Sequence, residues 1–447
     1  MKKPEAALLS LLRAALHEDK PADPELTVEE WEILLRLADA HKLLPLVLDS
    51  SCKLSSLLAI KSGCENQPSF DGTSARSGTH NAASHVDVPG GTAAGPGSGS
   101  NDCLTKWKNH VLAQVGRQAI QENEFLNLIL ELRARGLEPV VLKGPICRAL
   151  YPKPLLRPSV DDDLLIPDAQ GPAFHAALLE LGLTADDPGA DPENGWELSY
   201  HMPGSPLYIE LHKRLFDPES EVFGACNKLF SGALDRTVSV RIQDVSLRTL
   251  APTDHLLFLL LHAFKHFLHS GFGLRIVSDI CLFTDRFWDR IDFTAVLEGC
   301  ARLRADRFAA AVYRIGKKYL NLRAPALFDG IETDETALLE DVLASGLHGT
   351  QIDRLHSANI TLGAVRDSKQ GRSASGGLRH TLFPPAKELT GVYPFLDHRP
   401  WLLPVAWLRR VGDYARRRKR YGSQSPTAPL RIGKERIRLL QTYGVID

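Results

Sequence analysis

The chain has 447 residues, 44% of them apolar and 24% charged, proportions of a globular protein with a sizeable core and two or three domains. Its formal net charge of −1 excludes the overall basic character on which binding of long nucleic acid depends. Seven cysteines without a C-x-x-C pair fit reduced thiols and a cytoplasmic location, and no uncharged apolar run is long enough to span a membrane.

Residues 5–58 read as helical. The opening Met-Lys-Lys and the apolar segment 6–16, interrupted by Arg13, read as an amphipathic helix and not as a secretory signal. Thr27 and Glu30 form a candidate capping box ahead of a helix over 31–41. Residues 59–103 change to Ser, Gly, Thr, Ala, Asn and Pro, ending GGTAAGPGSGSND. Such a stretch buries too little apolar surface to offset chain entropy, so a disordered insertion is expected there. Residues 104–135 show helical spacing, with Gly136 as the C-terminal cap. Then come a strand over 138–142, a helix over 145–150, a strand over 160–166, and a helix over 169–181 ended by Gly182. Strands follow over 198–201 and 207–212, and 238–245 reads as another strand or hairpin arm. From 253 to about 328 the pattern is helical again, with Thr253-Asp254 a candidate cap for 256–268. Residues 367–377 read as a flexible loop, a candidate lid. These readings divide the chain into an N-terminal helical segment (1–58), the insertion (59–103), a mixed α/β core (104–250) and a C-terminal helical region (251–447). From residue 409 onward, eleven Lys/Arg face only Asp413, Glu435 and Asp447. Such a basic tail attracts RNA or an anionic membrane surface, or is simply a solvated helix face.

The chemistry concentrates in VVLKGPICRALYPKPLLRPSVDDDLLIP. Asp161 and Asp163 open a strand at i and i+2, so both carboxylates face one point. Hard cations such as Mg²⁺ take such oxygen ligands together with substrate phosphates. Gly144, at a strand-to-helix turn, permits close approach of backbone N–H groups to phosphate. Lys143 beside it faces either the site or solvent. Arg157 is placed to contact a triphosphate or to pair with Asp162. A third carboxylate, Glu210, lies between Ile209 and Leu211, where burial without a partner would be costly. His212 shares Glu210's face and is placed to orient a carboxylate or an acceptor. Together these parts point to nucleotidyl transfer.

LKG, Y-P, R-x-x-x-D-x-D-L-L and E-L-H together resemble the bacterial "uncharacterised nucleotidyltransferase" family of the DNA polymerase beta-type superfamily. Residues 31–49, 259–283 and 403–418 resemble its helical segments. The resemblance implies a small mixed-sheet nucleotidyltransferase core flanked by helical regions, an α+β fold. It also implies a two-metal Mg²⁺ site at Asp161, Asp163 and Glu210, with an NTP, ATP foremost, as substrate. Lys143, Gly144 and Arg157 would hold the nucleotide. His212, His262, Lys265, His266 and Arg275 are candidates for its second wall or for the acceptor. The chain departs from the pattern at Pro145, which follows the loop glycine, and at Asp162, between the paired acids. Asp162 is expected on the opposite strand face, against Arg, Lys or solvent.

His262 and His266, at i and i+4, also have the spacing of a metal pair, although Ala263 stands where a zincin carries Glu. Two rival readings therefore stand beside Mg²⁺-dependent transfer to a small molecule or protein. One is a non-catalytic nucleotide-binding or scaffold protein of the same fold. The other is a metal hydrolase built on His262, His266 and an acid.

Overall fold

The apolar stripes read in the sequence form the helices, and the side chain of the N-cap residue Thr27 caps the second of them. A computed structural model describes residues 1–20, 24–51, 99–189, 191–345, 350–371, 385–389, 392–421 and 428–446. The N-terminal helices are α1 (Lys3–Leu16), α2 (Val28–Ala40) and α3 (Leu44–Ser50). The capping box of α2 forms as expected: Glu30 N–H donates to Thr27 Oγ1 at 3.2 Å and Thr27 N–H to Glu30 Oε2 at 2.9 Å. Most of the insertion lies outside the described residues, which resume within α4 (Gly99–Ala134). Gly136 ends that helix at φ +74, where a side chain would be strained.

The core follows as β1 (Val140–Val141), α5 (Gly144–Arg148), β2 (Asp162–Leu165), α6 (Gly171–Glu180), β3 (Thr184–Ala185), β4 (Glu197–His201), β5 (Tyr208–His212), β6 (Thr237–Ile242) and β7 (Val245–Leu250). They form one mixed sheet in the order β3-β4-β5-β2-β1-β7-β6, with β2 parallel to β5, β1 parallel to β7 and the other pairs antiparallel. The expected strand over 238–245 is the first arm of a hairpin, turned at Gln243 with φ +50, and its second arm β7 joins it to β1.

Helices α7 (Pro252–His269), α8 (Leu274–Arg286), α9 (Phe293–Ala301), α10 (Asp306–Leu320), α11 (Glu335–Ser345) and α12 (Thr350–Lys369) cover the core. The expected cap of α7 is not formed by Thr253 or Asp254. Ala251 is the N-cap residue, Thr253 Oγ1 accepts from Asp292 N–H at 2.9 Å, and Asp254 pairs with Arg236. Asp367–Lys369, expected in a loop, form the last turn of α12, and 372–377 lie outside the described residues. The chain ends with α13 (Ala386–Leu389), α14 (Phe395–His398), α15 (Leu403–Tyr421) and α16 (Ala428–Thr442), the last lying along α12. Among the described residues Cys147, Cys226, Cys281 and Cys300 are buried free thiols. No helix of the described residues is long and apolar enough to cross a membrane.

The core carries buried histidines away from the acids. Thr249 Oγ donates to Val141 O at 2.6 Å, so His255 Nδ1–H donates to Thr249 Oγ at 3.2 Å. Leu274 N–H donates to His41 Nδ1 at 3.3 Å. Burial pushes His255 down to about 3 and His41 down to about 4. Both folded values lie below the ordinary 6.5. Their contribution to stability is therefore complete above pH 6.5 and is lost as pH falls through the folded values. We expect His255→Gln to flatten the pH dependence of unfolding free energy between pH 6 and 5 by about 1 kcal/mol per pH unit. Urea titrations across that interval check this, and an unchanged slope would show that His255 takes a proton in the folded state.

Candidate active site at the centre of the sheet

Strand register assembles the acids. Asp163 on β2 lies opposite Glu210 on the parallel β5, and on the next strand Ser199 lies opposite Glu210 and Glu197 opposite His212. The period of two puts these side chains on one face. Asp161 stands just before β2 and joins the group through Lys143. That ammonium lies 3.0 Å from Asp163 Oδ1 and 3.5 Å from Asp161 Oδ2, so Lys143 faces the site. Its side chain is 18% exposed and that of Asp163 3%. Burial opposes the charge of Lys143, but Asp163, Asp161 and Glu210 more than offset it and hold its pKa above the ordinary value. Asp163 is held below the ordinary carboxylate range in the face of its burial by Lys143 and by the His212 hydrogen bond.

His212 Nε2 lies 3.2 Å from Asp163 Oδ1 and 3.5 Å from Glu210 Oε2, and Nδ1 lies 3.5 Å from Glu197 Oε2. Burial disfavours its protonation, but hydrogen bonds to Asp163 and Glu210, then the charges of Asp163 and Glu197, raise it to about 9. Asp163, Glu210 and His212 each bring a ligand atom within 4.8 Å of the others, a group able to hold a metal ion. One oxygen of the set, Asp163 Oδ2, is buried without a hydrogen-bond partner, as expected of a carboxylate with an unused ligand position. The residues present therefore fit a divalent cation.

Beside the acids a cavity of about 290 Å³ opens between the loop 157–161 and helices α7 and α8. Lys143, Gly144, Arg157, Ser159, Asp161, His262, His266 and Arg275 line it. Arg157 does not pair with Asp162. It forks Asp279 on α8, Nη2 to Oδ2 at 2.5 Å and Nε to Oδ1 at 3.2 Å, while Tyr151 OH donates to the same Oδ1 at 2.8 Å. Arg275 Nη1 donates to Pro158 O at 3.2 Å. Burial and the neighbouring Arg157 lower the pKa of Arg275. Two guanidiniums thus lie near one buried carboxylate that pairs with Arg157 alone, and Arg157 Nη1 is buried without a hydrogen-bond partner. This wall has an excess of positive charge and a spare donor. Cys147 lies in the same wall, its thiol pushed up to about 12 by burial and by Asp279.

His262 and His266 meet at 3.0 Å between their Nε2 atoms, and Lys143 Nζ lies 3.4 Å from His262 Nε2. A lysine ammonium only donates, so His262 Nε2 is the acceptor in its contact with Lys143. Burial and then Lys143 hold both imidazoles neutral, His266 down at about 3 and His262 well below its ordinary value. Their spacing therefore serves a lysine, and the group of three ligand-type residues found among the described residues contains neither. Lys265 faces away from them toward Trp196, 6.0 Å above its ring.

Asp162 turns to the opposite face, as its position in the strand requires. Gln121 Nε2 donates to its Oδ2 at 2.9 Å and Arg148 Nη2 lies 3.5 Å from Oδ1. Arg148 also donates to Glu122 at 2.8 Å and to Ser159 Oγ at 2.8 Å. Burial raises Asp162 to about 6 although Arg148 and Gln121 oppose it. This network places its own demand on Gly144. Its φ is +41, and a Cβ there would sit 2.4 Å from Asp162 Oδ1. Asp162 thus requires a glycine here in its own right, while Pro145 sits inside the first turn of α5, where its missing N–H costs nothing. Gly144→Ala should destabilise the protein by about 3 kcal/mol, combining a left-handed backbone with overpacking. Urea unfolding checks this, and a wild-type midpoint would mean that Asp162 yields freely.

The sequence profile of a family described as "Uncharacterised nucleotidyltransferase" matches residues 27–321. The chain belongs to that family. No curated protein matches it significantly. A solved antigenic nucleotidyltransferase-like protein from Paracoccidioides brasiliensis is similar over 47% of this chain and 98% of that one, with 13% identity and a TM-score of 0.30. The family match spans the acids, Lys143 and the α7–α8 wall alike. Within this stretch, sequence reasoning left Glu197, Arg148, Gln121 and Glu122 unassigned and gave Asp279 no role. Glu197 alone had a readable signal, two residues before Ser199 on a strand paired with β5.

Proposed function

We propose that the protein is a Mg²⁺-dependent nucleotidyltransferase that moves a nucleoside monophosphate from an NTP, ATP foremost, to a hydroxyl acceptor. The observation that carries this reading is the register of Asp163 against Glu210, with one oxygen of Asp163 buried and unpartnered. Asp161, Asp163 and Glu210 would hold the cation through oxygen. His212 is turned to donate to two of these acids and so orients them. When bound, the cation neutralises charge on the triphosphate.

The chain's own groups supply the rest. Lys143, Arg157 and Arg275 form the cationic wall on which the triphosphate lies, and Arg157 Nη1 gains an acceptor. Helices α7 and α8 close that side against water. The acceptor hydroxyl approaches from the open side of the sheet, where Glu210 is 26% exposed, and gives its proton to that carboxylate. Its oxygen bonds to the α-phosphorus as the bond to pyrophosphate breaks. The net charge of −1 favours a small molecule or a protein side chain over long nucleic acid as acceptor.

Calorimetry with ATP tests the site. Binding that requires Mg²⁺ and vanishes in Asp161→Asn/Asp163→Asn is expected. Failure of folded wild-type protein to bind any NTP would overturn the proposal. Nucleotide binding without pyrophosphate release, even with cell extract supplying acceptors, would leave a non-catalytic binding protein.

A further inference from the structure

The basic C-terminal segment takes no part in the site above. It belongs to a small hydrophobic cluster separate from the main core, in which Leu389, Tyr393, Leu396 and Ala406 are buried and Leu403 and Trp407 pack against them. Its other side is exposed among the described residues. Trp401 is 74% exposed, Val405 44% and Leu408 73%. Trp401 sits in the 3₁₀ turn leading into α15, and the three positions follow at i, i+4 and i+7, the spacing of one helix face. Arg409, also exposed, adjoins this stripe and lies 5.8 Å above the Phe395 ring. In sequence, the helix then continues through Arg416, Arg417, Arg418, Lys419 and Arg420, and Asp413 is its only acid.

We propose that α15 and the turn before it dock on the surface of an anionic lipid bilayer. Trp401, Val405 and Leu408 would enter the headgroup boundary, and Arg409 and Arg416 would face the lipid phosphates. An exposed Trp beside aliphatic side chains suits that boundary, and a dense cationic run suits its negative potential. A single-stranded RNA offers the same phosphates but gives Val405 and Leu408 nothing apolar to bury against, which favours the bilayer. The helix lies on the membrane and does not span it.

The test uses the full chain and sedimentation with phosphatidylcholine vesicles, with or without about one third phosphatidylserine. Binding to the anionic vesicles at least about tenfold tighter than to neutral ones is expected. Trp401→Ala/Leu408→Ala should weaken it about tenfold, and Arg409→Glu/Arg416→Glu should remove the preference for anionic lipid. All four side chains are exposed, so neither variant disturbs the core. Tryptophan emission should shift to the blue on anionic vesicles, and the shift should shrink in Trp401→Phe. No vesicle binding by wild type, equal binding by the variants, or an undiminished shift in Trp401→Phe would overturn the proposal. So would release from vesicles by a single-stranded RNA that Trp401→Ala/Leu408→Ala binds as tightly as wild type.

Discussion

Asp163→Asn is expected to reduce NTP-dependent labelling and pyrophosphate release about a thousandfold. Three arrangements meet at this carboxylate. Oδ1 receives Lys143 at 3.0 Å and His212 at 3.2 Å, and Oδ2 has no protein partner. An amide keeps the shape but loses the charge that holds Lys143 and His212 in place. The variant should also lose about 2–3 kcal/mol of stability, below the usual cost of breaking a buried pair because Lys143 retains Asp161 and His212 retains Glu210. Activity and stability must therefore be measured together, labelling on folded protein and urea unfolding in parallel. Undiminished labelling would remove Asp163 from the mechanism.

Asp279→Ala should have the largest effect on stability. The side chains of Asp279 and Arg157 are 6% and 3% exposed. Removing the carboxylate strands Arg157 and Arg275 beside each other and takes the acceptor from Tyr151. A loss of about 3–5 kcal/mol is expected in urea unfolding. Arg157→Met/Asp279→Leu replaces the pair by apolar groups of similar volume and should recover most of that loss. Its affinity for ATP should still fall about tenfold, because one charge-assisted donor to the triphosphate is gone. Wild-type ATP affinity in this double variant would make Arg157 purely structural.

What the sequence disclosed follows from the range of each interaction. Asp161, Asp163 and Glu210 were legible because strand periodicity is local, and the orientation of Asp162 followed from the same rule. The alternative partners of Arg157 were not, because the residue that claims it lies 122 positions away on a helix. His262 and His266 showed their spacing but not their neighbour, since Lys143 reaches them from a turn 119 residues upstream. The second arm β7 was missed because the turn before it uses Gln243 in the left-handed region, with no glycine to mark it. The expected cap of α7 failed because Thr253 and Asp254 serve Asp292 and Arg236, residues whose proximity only the fold creates. The overall plan of mixed sheet between helical flanks was readable from periodicity together with the family resemblance.

The order of strands bears on how the chain reaches this shape. Thr249 on β7 meets Val141 on β1, 108 positions apart in sequence, and His212 reaches Asp163 from 49 positions away. Loop closure of that span must precede any reward from pairing, so the middle of the sheet should form slowly, over milliseconds to seconds. The carboxylates come together only when that closure is complete. Until then they are separate acidic segments of an open chain, and a nascent molecule released before residue 250 would lack the strand on which β1 leans.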